Sequence, residues 1–144
     1  METATVGKVI VSAKIENWFD VEGVFRGQIG PAQVRHFELD NAQVDKSVTT
    51  LLLPKRLINE LGLRVSGKRQ ARTATGMATF EYYSLVRLTI QGRDCNTEVA
   101  EASEESPALI GLVPLQLLDF VVDPKNNRLI GNPEHGGVQM WDMF

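Results

Sequence analysis

Residues 43–63 read Gln-Val-Asp-Lys-Ser-Val-Thr-Thr-Leu-Leu-Leu-Pro-Lys-Arg-Leu-Ile-Asn-Glu-Leu-Gly-Leu. The pattern predicts the end of a strand, a tight polar loop at residues 45–47, an apolar strand and a short helix. Pro54 suits the first turn of that helix, where its missing N–H needs no partner, and Gly62 suits the left-handed residue that closes it. Asp45 is therefore held on a loop between two buried strands. A carboxylate in that position is better suited to catalysis than to solvation.

This stretch resembles the active-site strand of the retroviral-like (retropepsin-type) aspartic proteases, which reads apolar-Asp-Thr/Ser-Gly-Ala-Thr/Ser and continues into apolar residues. Val44 and Asp45 match its start, and residues 49–54 match its continuation. Residues 46–48, Lys-Ser-Val, stand where the family has Thr/Ser, Gly and Ala. The resemblance implies that Asp45 is the catalytic residue and that the active-site loop consists of Lys46, Ser47, Val48 and Thr49.

The second half of the chain resembles the same family. Residues 108–111 are similar to its apolar-apolar-Gly element, which crosses behind the active-site strand, and residues 112–120 are similar to the helix that follows. Residues 121–130 look like its closing hairpin, and the resemblance as a whole covers roughly residues 7–133. It implies an all-β, retropepsin-like acid-protease barrel with a flap hairpin at Thr75, Gly76 and Met77 and structural support from Ile110 and Gly111.

In this family one chain supplies one aspartate, so the resemblance implies a homodimer that cleaves a peptide or unfolded protein without a cofactor. Two like charges brought together cannot both ionise cheaply, so two identical aspartates on a two-fold axis split their titrations. One carboxylate then activates water and the other, protonated, polarises the peptide carbonyl. Carried over, Asp45 of each chain forms that pair.

The altered loop residues indicate a second hypothesis. Lys46 carries three donors, no acceptor and a charge, so it cannot repeat the hydrogen bond that the family's Thr/Ser makes across the dimer. Ser47 is tolerated only if its backbone avoids the region reserved for glycine. The alternative is a weakened enzyme or a non-catalytic pseudoprotease dimer, which either binds extended peptides or serves in assembly through its apolar tail at residues 141–144.

Composition bounds the remaining possibilities. The 144 residues fit a single domain, residues 1–144, and a net charge of -3 supplies no basic patch for nucleic acid. No apolar run approaches the roughly 20 residues of a membrane span, and the first residues lack the features of a signal peptide. The one cysteine, Cys95, agrees with a reducing compartment. We expect a cytoplasmic protein.

The rest of the chain predicts a mainly β domain with two short helices, at residues 54–62 and 112–120. Residues 17–30 are glycine-rich and predict a loop or an irregular hairpin. His36 and His135 have no metal-ligand spacing, so no metal site is expected. Four cations are expected to form a solvated face of the strand entering the flap, or alternatively a patch for an anionic partner: Arg64, Lys68, Arg69 and Arg72.

Overall fold

The structure is a computed structural model that describes residues 8–144. Residues 1–7, on which the prediction about a signal peptide was made, lie outside the described residues. Strands hold 48% and helices 20% of it, which confirms the predicted mainly β class. The helices are α1 (Trp18–Phe25), α2 (Lys55–Leu61) and α3 (Leu112–Leu118). The strands are β1 (Val9–Asn17), β2 (His36–Val44), β3 (Leu51–Pro54), β4 (Val65–Thr73), β5 (Gly76–Ile90), β6 (Arg93–Ala102), β7 (Leu109–Ile110), β8 (Phe120–Asp123) and β9 (Arg128–Gly131).

Seven of the strands form one mixed sheet in the order β1-β2-β7-β3-β6-β5-β4. Because β1 also pairs with β5, the sheet closes on itself into a barrel, and β4 extends from it as the outer strand of a hairpin. Strand β7 lies between β2, to which it is parallel, and β3, to which it is antiparallel. The loop that leaves β2 must therefore pass over β7 before the chain returns as β3.

The barrel interior is apolar. Ile15, Leu51, Leu88 and Ile110 come from four different strands, and the solvent reaches none of them. Helix α2 adds Ile58 to the same core. Burial of side chains of this size stabilises the fold by roughly 1.5–3 kcal/mol each.

Helix α2 forms as the sequence predicts. Pro54 ends β3 in an extended conformation and precedes the first helical residue, so its lack of an N–H costs no hydrogen bond. Leu57, Ile58 and Leu61 form its buried face, and Gly62 closes it with φ of 68°. This helix holds the exit of β3 against the barrel.

The prediction of a loop or an irregular hairpin at residues 17–30 was wrong. This segment contains α1, a third helix, whose N-cap is Asn17: the Asn17 side chain accepts a hydrogen bond from the Asp20 N–H at 3.1 Å and donates one to the Leu61 carbonyl at 2.7 Å. Arg35 then binds the buried Asp20 carboxylate through Nε and Nη2, at 2.8 and 3.0 Å. These tertiary contacts, rather than a strong helical pattern, hold the segment in place.

The C-terminal part contains the predicted hairpin of β8 and β9, and then a tail that folds back on α3. The Met140 N–H donates to Asp119 Oδ2 and Trp141 Nε1 donates to the Leu117 carbonyl, both at 3.0 Å. The side chains of Trp141, Met143 and Phe144 nevertheless remain exposed. The tail is thus anchored to the body by polar contacts, with its apolar groups turned outward.

Candidate active site

The loop at residues 45–50 joins β2 to β3 and is fixed from below by β7. The Gln43 N–H donates to the Ala108 carbonyl at 2.8 Å, and the Asp45 N–H donates to the Ile110 carbonyl at 3.0 Å. Asp45 therefore takes its position directly from a strand more than sixty residues further along the chain. The half-buried side chain stands at the point where the sheet ends and the loop begins.

The Asp45 carboxylate is held by its own loop. Its Oδ1 accepts hydrogen bonds from the Ser47 N–H at 3.0 Å and from the Ser47 hydroxyl at 2.6 Å. The second distance is typical of a hydroxyl bound to an ionised carboxylate. Ser47 is not among the described residues with positive φ, so serine is accommodated without the strain that would demand glycine.

The start of α3 packs directly on this loop. The Leu112 N–H donates to the Val48 carbonyl at 2.7 Å, and the Val113 N–H donates to the Thr49 carbonyl at 2.9 Å. A Cβ at Gly111 would lie 2.3 Å from the Thr50 carbonyl oxygen and 2.5 Å from that of Val48. The absence of a side chain at Gly111 is what allows the helix to support the loop so closely.

A further support, which the sequence did not reveal, comes from β6. The Thr50 hydroxyl donates to the Glu98 carbonyl at 2.7 Å and lies 3.3 Å from the Thr97 hydroxyl. The signal available in the sequence was only a Thr-Thr pair at residues 49–50, which names no partner. The loop is thus held by β7 and α3 on one side and by β6 on the other.

The predicted flap is a hairpin formed by β4 and β5, with its turn at residues 74–75. Gly76 follows the turn with φ of 125°, a conformation that strongly favours glycine. The Thr73 hydroxyl donates to the Gly76 carbonyl at 2.7 Å and accepts from the Thr75 N–H at 3.3 Å, which ties the tip together. Met77 is exposed beside it.

A cleft of about 1050 Å³ lies between the loop and the inner face of this hairpin. Residues 47–50 form one wall, while β4, β5 and β6 form the others, together with Val113 and Leu117 of α3. The residues predicted as catalytic loop and flap are only partly brought together here. Ser47, Val48 and Thr49 line the cleft, whereas Asp45, Lys46 and the flap-tip residues Thr75, Gly76 and Met77 lie outside its lining.

Lys46 places a positive charge directly after Asp45. Its side chain is exposed, and no ion pair to it is found within residues 8–144. The loop at residues 45–50 therefore contributes one carboxylate and, at the next residue, one ammonium group. A single carboxylate can orient or activate water, but acid and base action together require a second titratable group.

The cysteine and the two histidines, which are the other candidate reactive or metal-binding side chains, are accounted for by their structural environment. Burial raises the pKa of the Cys95 thiol to about 12, so this cysteine is not a reactive thiolate. His135 Nδ1 lies 2.6 Å from Asp119 Oδ2, and His36 Nδ1 lies 3.0 Å from the Val34 carbonyl. Residues 8–144 contain no group of three or more His, Cys, Asp or Glu side chains arranged to hold a metal ion. None of the described helices is both long enough and apolar enough to cross a membrane.

Comparison with known proteins adds little at the level of sequence. No protein-family profile matches the chain, and no curated protein matches it. Among solved structures, the solution structure of Simian Foamy Virus (mac) protease is similar, with a TM-score of 0.47 and 19% identity over 76% of this chain and 93% of that one. A likeness of this size does not by itself define the fold, which rests on the barrel and strand order described above.

Proposed function

We propose that this chain is a retroviral-like aspartic endopeptidase that acts as a homodimer, with Asp45 from each protomer forming the catalytic pair. The observation that carries the proposal is the position of Asp45. It is fixed by β7 at the start of a loop whose residues 47–50 line a cleft beneath a hairpin. The resemblance of residues 43–54 to the active-site strand of these proteases agrees with that position.

The chemistry follows from symmetry. When two copies of Asp45 approach across a two-fold axis, only one ionises readily, so the pair contains a base that activates water and an acid that polarises the peptide carbonyl. The substrate is an extended peptide segment or an unfolded protein, bound in the cleft by strand addition with the hairpin over it. No cofactor takes part.

Lys46 is expected to lower the activity. Two copies of its ammonium group near the two-fold axis repel each other, and an ammonium beside the pair favours two ionised carboxylates over one shared proton. Ser47 preserves the backbone N–H that approaches the carboxylate in the family, at 3.0 Å from Asp45 Oδ1. The enzyme we propose is therefore a weak one.

A non-catalytic dimer that binds extended peptides is the second candidate. It is favoured by the added Ser47 hydroxyl, which occupies Asp45 Oδ1 at 2.6 Å in competition with a catalytic water. This pseudoprotease keeps the cleft and the hairpin, so its affinity for peptides survives the substitution Asp45→Asn.

An assembly role is the third candidate function. The exposed side chains of Trp141, Met143 and Phe144 favour it. In that case the dimer has no affinity for peptides. Removal of residues 141–144 then abolishes self-association.

Cleavage of an unfolded protein substrate, followed from about pH 3 to pH 7, tests the proposal because this range spans the ordinary pKa of aspartate. The intact chain is compared with Asp45→Asn and with Asp40→Asn, an identical chemical change at an exposed residue of β2. Cleavage by the intact chain and by Asp40→Asn but not by Asp45→Asn supports the peptidase. No cleavage by a protein shown by sedimentation to be a folded dimer overturns it and leaves the two non-catalytic candidates.

A further inference from the structure

One wall of the cleft contains a stack of side chains. The lack of a side chain at Gly67 makes room for it. A Cβ at this residue would lie 2.8 Å from the Tyr82 hydroxyl oxygen and 2.9 Å from its Cε1, so the missing side chain leaves the space that the tyrosine ring fills. Gly67 and Tyr82 are register partners on β4 and β5. The ring is thereby held flat against the hairpin.

Arg69 lies on the Tyr82 ring. Its Cζ is 3.8 Å from the ring centroid, a distance typical of a stacked guanidinium. Its Nη1 and Nη2 donate to Glu98 Oε1 and Oε2 at 2.7 and 3.2 Å, so β4 is joined to β6 across the cleft wall. The hydrogen bonds to Glu98 raise the pKa of Arg69.

The pair still presents surface to the cleft. The Arg69 side chain is 52% exposed and that of Glu98 is 37% exposed, and Arg69, Tyr82 and Glu98 all line the cleft. A ligand carboxylate approaching Arg69 would be attracted by the guanidinium but repelled by Glu98, and a ligand ammonium would meet the opposite combination. A neutral flat group meets neither penalty, since it can lie on the guanidinium face that Tyr82 does not cover.

We propose that Arg69, fixed between Tyr82 and Glu98, is a specificity-determining residue that selects an aromatic side chain of the bound peptide. The side chain lies on the exposed face of the guanidinium, next to Phe80 on β5, which also lines the cleft. Glu98 is the positioning residue: it orients the guanidinium and cancels its charge. This inference rests on the proposed peptide-binding cleft, although it does not require that the peptide be cleaved.

Binding of labelled octapeptides to the Asp45→Asn chain, measured by fluorescence anisotropy near neutral pH, tests the selection without interference from cleavage. The peptides alternate threonine and valine, and each position in turn carries phenylalanine, cyclohexylalanine, glutamate or lysine. Phenylalanine and cyclohexylalanine have similar size and apolar character, so their ratio isolates the π face. At one position we expect phenylalanine to bind about two- to fivefold more tightly than cyclohexylalanine.

Three further substitutions are made in the same chain. Arg69→Met keeps the length of the stem and should bring the phenylalanine-to-cyclohexylalanine ratio to about one, because the guanidinium face is gone. Glu98→Gln leaves the Arg69 charge uncancelled and should shift the preference at that position towards glutamate by about threefold or more. Lys68→Met is the matched control, since Lys68 is exposed on the same strand but does not line the cleft, and it should leave every ratio unchanged.

An unchanged ratio in Arg69→Met would overturn the inference, as would a preference of the parent chain for glutamate or lysine. Failure of every octapeptide to bind would overturn both the inference and the peptide-binding cleft. The two proposals can also fail separately. If the chain cleaves protein but shows no aromatic preference, only the peptidase proposal stands. If it shows the preference but never cleaves, only the proposed selection of an aromatic side chain stands.

Discussion

The backbone N–H and the hydroxyl of Ser47 both donate to the same oxygen of Asp45, Oδ1, at 3.0 and 2.6 Å. The first bond preserves the close approach of a backbone N–H, which glycine provides in the proteases whose active-site strand this stretch resembles. The second is an addition, and it holds a carboxylate oxygen that the proposed reaction needs. Ser47 therefore changes the surroundings of the carboxylate without needing a backbone conformation that is reserved for glycine.

Reversion of the loop should increase peptidase activity. We expect the combined change Lys46→Thr, Ser47→Gly and Val48→Ala to raise kcat/KM on an unfolded protein by about tenfold or more, because a correctly protonated acid–base pair contributes on the order of 10²- to 10⁴-fold. Lys125→Thr, which removes a cation from the exposed turn between β8 and β9, is the control and should have no effect. No gain in a variant that remains a folded dimer would show that the loop is not the defect.

Gly111→Ala should disrupt the packing of α3 against the loop at residues 45–50. The new Cβ would lie 2.3 and 2.5 Å from the carbonyl oxygens of Thr50 and Val48, and backbone atoms cannot yield as flexible side chains do. We expect the free energy of unfolding to fall by about 3 kcal/mol or more, as measured by urea denaturation. Gly30→Ala is the matched control, since its Cβ would find only Gln33 Oε1 at 3.7 Å. Similar losses in both variants would contradict the packing argument.

Attachment of the C-terminal tail should depend on pH. His135 Nδ1 lies 2.6 Å from Asp119 Oδ2, and Nε2 lies 3.7 Å from Asp142 Oδ1, so the protonated ring faces two carboxylates. The hydrogen bond to Asp119, and then the charges of Asp119, Asp142 and Glu134, raise the pKa of His135 above its ordinary 6.5. The hydrogen bond from His135, with further bonds from Met140 and Asn132, lowers the pKa of Asp119 below 3.8.

The pH dependence of the attachment follows from the directions of these two pKa shifts. The His135 contribution is complete below pH 6.5 and is lost as the pH rises through its raised folded pKa. The Asp119 contribution is present above pH 3.8 and is lost as the pH falls through its lowered folded pKa. Attachment should therefore be strongest in mildly acidic solution.

Trp141 reports this attachment, because its Nε1 donates to the Leu117 carbonyl. In a Trp18→Phe background it is the one remaining tryptophan of the chain, so its fluorescence follows the tail alone. His135→Gln should remove the transition above neutral pH, whereas His36→Gln, at an exposed histidine of β2, should leave it in place. A transition that survives His135→Gln would rule out this histidine as its source.

The ion pair of Arg35 with Asp20 should stabilise α1. Arg35→Met leaves the Asp20 carboxylate buried at 6% exposure without its two guanidinium bonds, and we expect a loss of about 1–3 kcal/mol. This is less than for a fully buried pair, because Arg35 is 49% exposed. Arg26→Met, at an exposed residue beyond the end of α1, should cost little and serves as control.

The same pair has a pH signature. The Arg35 hydrogen bond lowers the pKa of Asp20, so this stabilisation is present above pH 3.8 and is lost as the pH falls through the lowered folded value. The difference in unfolding free energy between the intact chain and Arg35→Met should therefore shrink in acid. A difference that stays constant down to about pH 2 would mean that the carboxylate is not involved.

Local patterns in the sequence were enough for the elements around the loop. The leucine spacing and Gly62 of α2 and the glycine-tipped hairpin at Gly76 each depend on residues a few positions apart, and the structure has both. Helix α1 was missed because Gly23 and Gly27 suggested a loop. Its one local signal was Asn17, which caps the helix by accepting from Asp20.

The contacts that shape the cleft could not be found in this way. Arg69 and Glu98 are 29 residues apart, and Thr50 and Thr97 are 47 residues apart. Each pair meets because strands distant in sequence become neighbours in the barrel. The residue types at these positions are visible in the sequence, but the pairing of one distant residue with another is not.

Strand β7 has only two residues, yet it joins β2 to β3 and lies more than fifty residues after both. Since closing so large a chain segment carries an entropic cost before any contact compensates it, we expect β7 to enter the sheet late in folding. Until it does, β2 and β3 have no neighbour between them and Asp45 has no partner for its N–H. The order of folding therefore delays formation of the candidate site until most of the chain is in place, and a partly folded chain would not yet carry it.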